Sequence, residues 1–158
     1  MEIPQKIIKF LEKNKIKYQT IKHRTVYTAF DKSQTLKVPQ KIIAKVLVLK
    51  MDGNLAIVLI AANKNLDLKS LKKVAKIKKI EFVSEKIIKN KFKGIKVGAI
   101  PPLGNLWQVP TFIDRSLTKE KEIIFSGGNY NFSIKVKTKD LAKISADLVF
   151  GSFSLQKK

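Results

Sequence analysis

The stretch AKVLVLKMDGNLAIVLIAA, residues 44–62, leaves the chain little freedom. Asp52-Gly53 separates two apolar runs, and this dipeptide readily takes the positive φ angles that a tight two-residue hairpin turn requires. The pattern predicts an antiparallel hairpin of residues 45–51 and 54–62. Alternation then puts Lys45, Leu47, Leu49 and Met51 on one face of the first strand and Val46, Val48 and Lys50 on the other. Lys45 thus shares a face with leucines. Burying an unpaired ammonium is costly or depresses its pKa, so this lysine must either reach solvent at the strand end or face a polar cavity.

The rest of the chain supplies one α+β domain spanning residues 1–158, enough length to bury a core without staples. Ile3, Ile7, Ile8 and Leu11 fall at helical spacing behind Pro4, read as the first helical position. KYQTIKH alternates like a short strand. TAFD, residues 28–31, has the form of a capping box opening a second helix, and Pro39 restarts a turn of helix. Asp67 reads as the cap of a basic-faced helix, followed by a strand at IEFV and a helix capped by Ser84. Beyond the glycine- and proline-rich KGIKVGAIPPLGNLWQVP, strands are expected near 110–114, 122–126 and 131–137, with Thr138 capping a last helix. Hairpins interleaved with helices point to a mostly antiparallel sheet.

Composition removes many chemistries. The chain has no cysteine and one histidine, His23, so thiol nucleophiles, disulfides, thiolate zinc sites and multi-histidine metal centres are excluded. Neither a G-x-S-x-G elbow nor a glycine-rich phosphate cradle occurs. No cofactor and no metal are expected. The charged start and the short aliphatic runs suggest a cytoplasmic protein with no membrane partner. Lys and Arg total 33 against 12 Asp and Glu, a formal charge of +21 that favours nucleic acid as the partner class. Only Arg24 and Arg115 are arginine, so the charge by itself names no mechanism.

Several stretches in order, IIAKVLVLK, LDLKSLKKVAK, VGAIPPLG, VPTFID and FSGGNYNFSIKVKTKDLAKI, resemble the YbaK/EbsC family of aminoacyl-tRNA deacylases, relatives of the editing domain inserted in bacterial prolyl-tRNA synthetases. The resemblance covers roughly residues 5–146. It implies a YbaK-like fold, a curved, barrel-like and mainly antiparallel sheet surrounded by helices. It also implies hydrolysis of the ester of a mischarged aminoacyl-tRNA, most often tRNA for proline carrying cysteine or alanine, with prolyl-tRNA synthetase as a possible partner. The family's signature lysine corresponds to Lys45, followed here by Val46 in place of the usual threonine. Its glycine-proline loop corresponds to Gly98, Ala99, Ile100, Pro101, Pro102, Leu103 and Gly104, with Pro101 where the close form has serine. Asp114 corresponds to the aspartate of its "ID" strand, and Gly127 and Gly128 to its later glycine pair.

These residues suit an electrostatic mechanism. An aminoacyl ester is already activated, and donors aimed at a tetrahedral oxyanion can carry much of the work. Lys45 is one expected donor, and the amides of Ala99, Ile100, Leu103 and Gly104 are others. No base stands out: His23 precedes the sheet, and Asp114 reads as a structural acceptor, so a substrate group, the free ribose hydroxyl of the terminal adenosine or the amino acid's own side chain, is the expected aid. Lysines 69, 72, 73, 76, 78 and 79 are candidates for RNA phosphates and Trp107 for base stacking. The competing readings are a non-catalytic basic RNA-binding or synthetase-associated module with the same fold, and a general DNA- or ribosome-associated protein.

Overall fold

In a computed structural model describing residues 2–157, the hairpin organises the molecule. Strands β2 (Ala44–Met51) and β3 (Asn54–Ala61) pair antiparallel from Ala44↔Ala61 to Met51↔Asn54. Asp52 and Gly53 at the turn have φ of 46° and 90°, the paired positive angles foreseen for this dipeptide. The Asp52 carboxylate also accepts from the amides of Lys78 and Lys79, so the turn is tied to the chain that leads into β5 (Ile80–Phe82).

Five strands form one sheet in the order β5-β2-β3-β6-β9, with β6 at Thr111–Asp114 and β9 at Leu148–Gly151. The β3/β6 and β6/β9 pairings are parallel and the others antiparallel. A second, antiparallel sheet has the order β1-β8-β7, from Tyr18–Lys22, Phe132–Lys137 and Glu122–Ser126 respectively. A parallel bridge between Ile43 and Ile124 brings β7 against the start of β2, which curves the assembly toward a barrel that does not close. β4 (Lys64–Leu66) pairs with β10 (Ser154–Gln156) as a small third sheet.

Period-two alternation in β3 explains the layers. Ile57, Leu59 and Ala61 enter the main core with α1 (Gln5–Lys13), whereas Ala56, Val58 and Ile60 join a second cluster with Leu49, Met51 and Leu71. Leu71 comes from α3 (Leu68–Ala75), whose cap Asp67 accepts from the Ser70 amide and hydroxyl. Both faces of β3 are therefore dry, and Lys45 lies at the start of β2 where that second cluster runs out.

The caps expected at Thr28 and Ser84 form: Thr28 accepts from the Asp31 amide at the head of α2 (Ala29–Leu36), and Ser84 from the Ile87 amide at the head of α4 (Glu85–Lys91). Three expectations need correction. Pro4 is the N-cap of α1 rather than its first helical residue. Thr138 opens a 3-10 turn and caps nothing; its buried hydroxyl has no partner among the described residues. After that turn the chain adds β9 and β10, which the sequence pattern did not reveal. Two single-turn helices, α5 (Gly104–Trp107) and α6 (Arg115–Thr118), flank β6.

Candidate functional site

A hollow of about 390 Å³ opens between the start of β2, the segment leading into α2, the glycine-proline loop and the end of β7. Lys45 is exposed at its edge, so the lysine met among leucines neither enters the core nor leaves the site. Gly98 and Ile100 also line it. Gly98 has a φ of 84°, a left-handed conformation that disfavours any side chain. The hydroxyl of Tyr130 donates to the carbonyl of Val97 at 2.6 Å and pins the loop beside the hollow.

The other sequence-nominated residues take different places. Ala99 is buried, its amide donating to Lys96 O and its carbonyl accepting from Gly128 N. The Leu103 amide donates to Pro101 O. Two of the four expected loop donors are thus already engaged, and Ile100 is the one of the four that lines the hollow. Pro101, Pro102 and Gly104 are buried and do not line it. Gly104 sits against Thr111, Ser145 and the Val109 carbonyl, with no room for a Cβ. Gly127 and Gly128 pack on Ile3, Pro4 and Ile7 at the start of α1, and only their neighbours Ser126 and Tyr130 reach the hollow.

Asp114 is 2 % exposed and away from the hollow. Its carboxylate accepts from the Phe153 amide at 2.7 Å, the Ser154 hydroxyl at 2.7 Å and the Ser116 amide at 3.1 Å. Burial opposes its ionisation, but these donors outweigh burial and hold the carboxyl below its usual range. It is an anchor for the C-terminal strands. Trp107, expected as a stacking platform, is 8 % exposed and meets Phe92 edge-on at 4.8 Å. The lysines at 69, 72, 73, 76, 78 and 79 are exposed but lie outside the hollow.

Aromatic surface at the hollow comes instead from Tyr27 and Phe30, 70 % and 56 % exposed, with Tyr27 tilted against Tyr130 at 4.8 Å. Sequence reasoning passed over both. It also passed over Lys32, which lines the hollow from α2, is 6 % exposed and donates to Ser126 Oγ at 2.7 Å. Burial pushes its amine down to about 8. The signal was weak, because a lysine on a short helix with little apolar pattern normally faces water.

His23, expected ahead of the sheet, directly follows β1. Its Nδ1–H donates to the Arg24 carbonyl, leaving Nε2 to accept from the buried Ser133 hydroxyl at 2.9 Å. Burial holds its pKa below the ordinary histidine value, the nearby cations Lys32 and Arg24 adding to the effect. Ser133 faces Ser126 across the β7/β8 pairing.

An α+β fold with a curved sheet and a lysine-edged hollow defines a class, and comparison with known proteins supplies it. The family model of the aminoacyl-tRNA editing domain matches residues 23–144. The chain belongs to that family, as the motif resemblance implied. Among solved structures, that of hypothetical protein APE2540 superposes with a TM-score of 0.83 at 19% identity, over 95% of this chain and 99% of the other. A scaffold from computational epitope grafting gives a TM-score of 0.83 at 16% identity, covering 98% and 96%. A "putative trans-editing enzyme for prolyl tRNA synthetase" gives 0.80 at 18% identity, again covering 98% and 96%. At these identities the structures share the fold. No described helix is long and apolar enough to cross a membrane.

Proposed function

We propose that the hollow edged by Lys45 hydrolyses the ester of mischarged aminoacyl-tRNA, acting in trans as a free-standing deacylase. The observation that carries this reading is the convergence of Lys45, Gly98 and Ile100 on one 390 Å³ concavity in a chain of the editing family. That volume accommodates an aminoacyl group together with part of a terminal adenosine. Lys45 donates to the oxyanion that forms when water attacks the ester carbonyl, and backbone at Gly98 and Ile100 approaches the same atom. Tyr27 and Phe30 offer exposed ring faces for the terminal base, work earlier assigned to Trp107. Exposed lysines and the +21 charge draw in the tRNA. Cysteine or alanine on tRNA for proline is the substrate suggested by the motif resemblance, with prolyl-tRNA synthetase as the delivering partner.

None of Asp, Glu or His is among the described residues lining the hollow, so a substrate hydroxyl, the free ribose hydroxyl of the terminal adenosine, aids the attacking water. The same shortage favours one other reading, an RNA-binding module that keeps the fold without turnover. Deacylation assays with tRNA for proline carrying cysteine, alanine or proline separate the two. The enzyme clears one or both mischarged species, spares the correct one, and loses about 10²-fold in rate on Lys45→Ala with the fold intact. Retention of all three esters at full tRNA binding identifies the module.

A further inference from the structure

Among the described residues, Lys32 is a buried cation without a counter-charge. Its side chain is 6 % exposed, its amine meets Ser126 Oγ at 2.7 Å, and no carboxylate among the described residues lies within ion-pair distance of it. The lining of the hollow includes the apolar Val26, Ile43, Ala62 and Ile100 as well as the polar Thr28, Ser126 and Tyr130. An ammonium has three N–H donors, and the serine hydroxyl takes one. A charge held this way is costly unless an anion or strong acceptor joins it, and among the described residues only Ser126 does so.

From this we infer that Lys32 is a specificity-determining residue, making the inner part of the hollow a receptor for an acyl side chain that ends in an oxygen acceptor, a carboxylate most strongly. This rests on the proposed placement of the aminoacyl group in the hollow, and it replaces cysteine and alanine, whose side chains carry no oxygen acceptor, by an acyl group that does. Lys45, exposed at the edge, serves the ester and the nucleotide; Lys32, buried on the inner side of α2, reads what the ester carries. A single amine with one hydroxyl beside it is a small point-charge site, matched to one carboxylate or hydroxyl. A phosphate dianion needs more donors. The walls tolerate an apolar side chain of equal size but leave the ammonium unanswered, so discrimination comes from the unmet charge.

The other titratable groups bordering the hollow are Lys45, Lys157, Tyr27 and Tyr130, with Asp31 next in sequence on α2 and His23 within electrostatic reach. Burial, with Lys32 and Arg24 nearby, lowers the pKa of His23, and an imidazole in either protonation state is no counter-anion for the Lys32 ammonium. Carboxylate binding should therefore follow the protonation of Lys32 and weaken in alkali.

The test uses two non-hydrolysable probes, the 3′-aspartylamido and 3′-leucylamido derivatives of 3′-deoxyadenosine, whose side chains are close in size. Calorimetry on the full chain at about pH 7 should show the aspartyl probe binding about tenfold tighter, the margin of one charge-assisted hydrogen bond. Lys32→Met should erase that margin without weakening the leucyl probe, and in the unaltered protein the margin should shrink by about pH 9.5. Equal affinities, no measurable aspartyl binding, or a Lys32→Met variant that loses both probes alike each overturn the inference. The alkaline arm needs no variant and decides the matter even if Lys32→Met folds poorly. A protein that shows the margin yet hydrolyses no aminoacyl-tRNA would retain this inference and lose the proposed function; one that deacylates but reads both probes equally would do the reverse.

Discussion

Replacing Lys32 by Met should make the protein more stable, an unusual outcome for a substitution at a buried, hydrogen-bonded residue. Burial lowers the amine from 10.5 to about 8 on folding. At about 1.4 kcal/mol per pH unit, keeping it charged at neutral pH costs roughly 3 kcal/mol. Met nearly matches the volume and brings no charge, while the lost hydrogen bond to Ser126 gives back about 1 kcal/mol. A net gain of about 2 kcal/mol at pH 7 is expected. The sign depends on pH. Below 8 both folded and unfolded chains carry the proton, so the penalty is fully present. Between 8 and 10.5 the unfolded chain binds more protons, so the unsubstituted protein gains stability as pH rises, and above 10.5 the penalty is gone. Urea unfolding of both proteins near pH 7 and near pH 10.5 reads this directly. A variant that is less stable at pH 7, or that differs from the parent by the same amount at both values, refutes the reasoning.

Asp114→Asn should cost about 2 to 3 kcal/mol, because a buried carboxylate with three donors is replaced by an amide that must present N–H groups to some of them. Since Asp114 is depressed on folding, its contribution is complete above the usual carboxylate range and is lost as pH falls through its folded value; acid unfolding of the variant should be correspondingly less steep. Gly104→Ala should destabilise by about 1 to 3 kcal/mol, since a Cβ there lies 2.6 Å from the Val109 carbonyl and meets Thr111 Oγ1. Thermal melts check it, and an unchanged midpoint would show that α5 can shift freely.

Local chemistry made much of this fold readable. The Asp52-Gly53 turn and the caps at Thr28, Asp67 and Ser84 each rest on a few neighbouring residues, and each forms. Lys45 is legible because a charge in an apolar strand has few places to go. The end of the chain offered no such handle. LVFG and SLQ are too short to show a period, and they become strands through distant partners: β9 beside β6, β10 beside β4, and Asp114 accepting from Phe153 and Ser154. The same limit hid the two-sided hollow. Family motifs indicated Lys45 and the glycine-proline loop, but the opposite wall comes from Tyr27, Phe30 and Lys32, whose approach depends on how α2 lies over β7. The glycines that match family motifs divide accordingly: Gly98 lines the hollow, while Gly104, Gly127 and Gly128 allow tight packing elsewhere.

The location of the site is the claim on which the functional account stands, and amide chemical-shift mapping tests it most directly. Titrating labelled protein with 3′-alanylamido-3′-deoxyadenosine should perturb Ala44, Lys45, Gly98, Ile100 and Ser126 together, since all line one hollow. Perturbations gathered instead at the larger, more open concavity of about 760 Å³ between Thr118, Lys121, Lys137 and Ala142, with Lys45 and Gly98 unmoved, would contradict it.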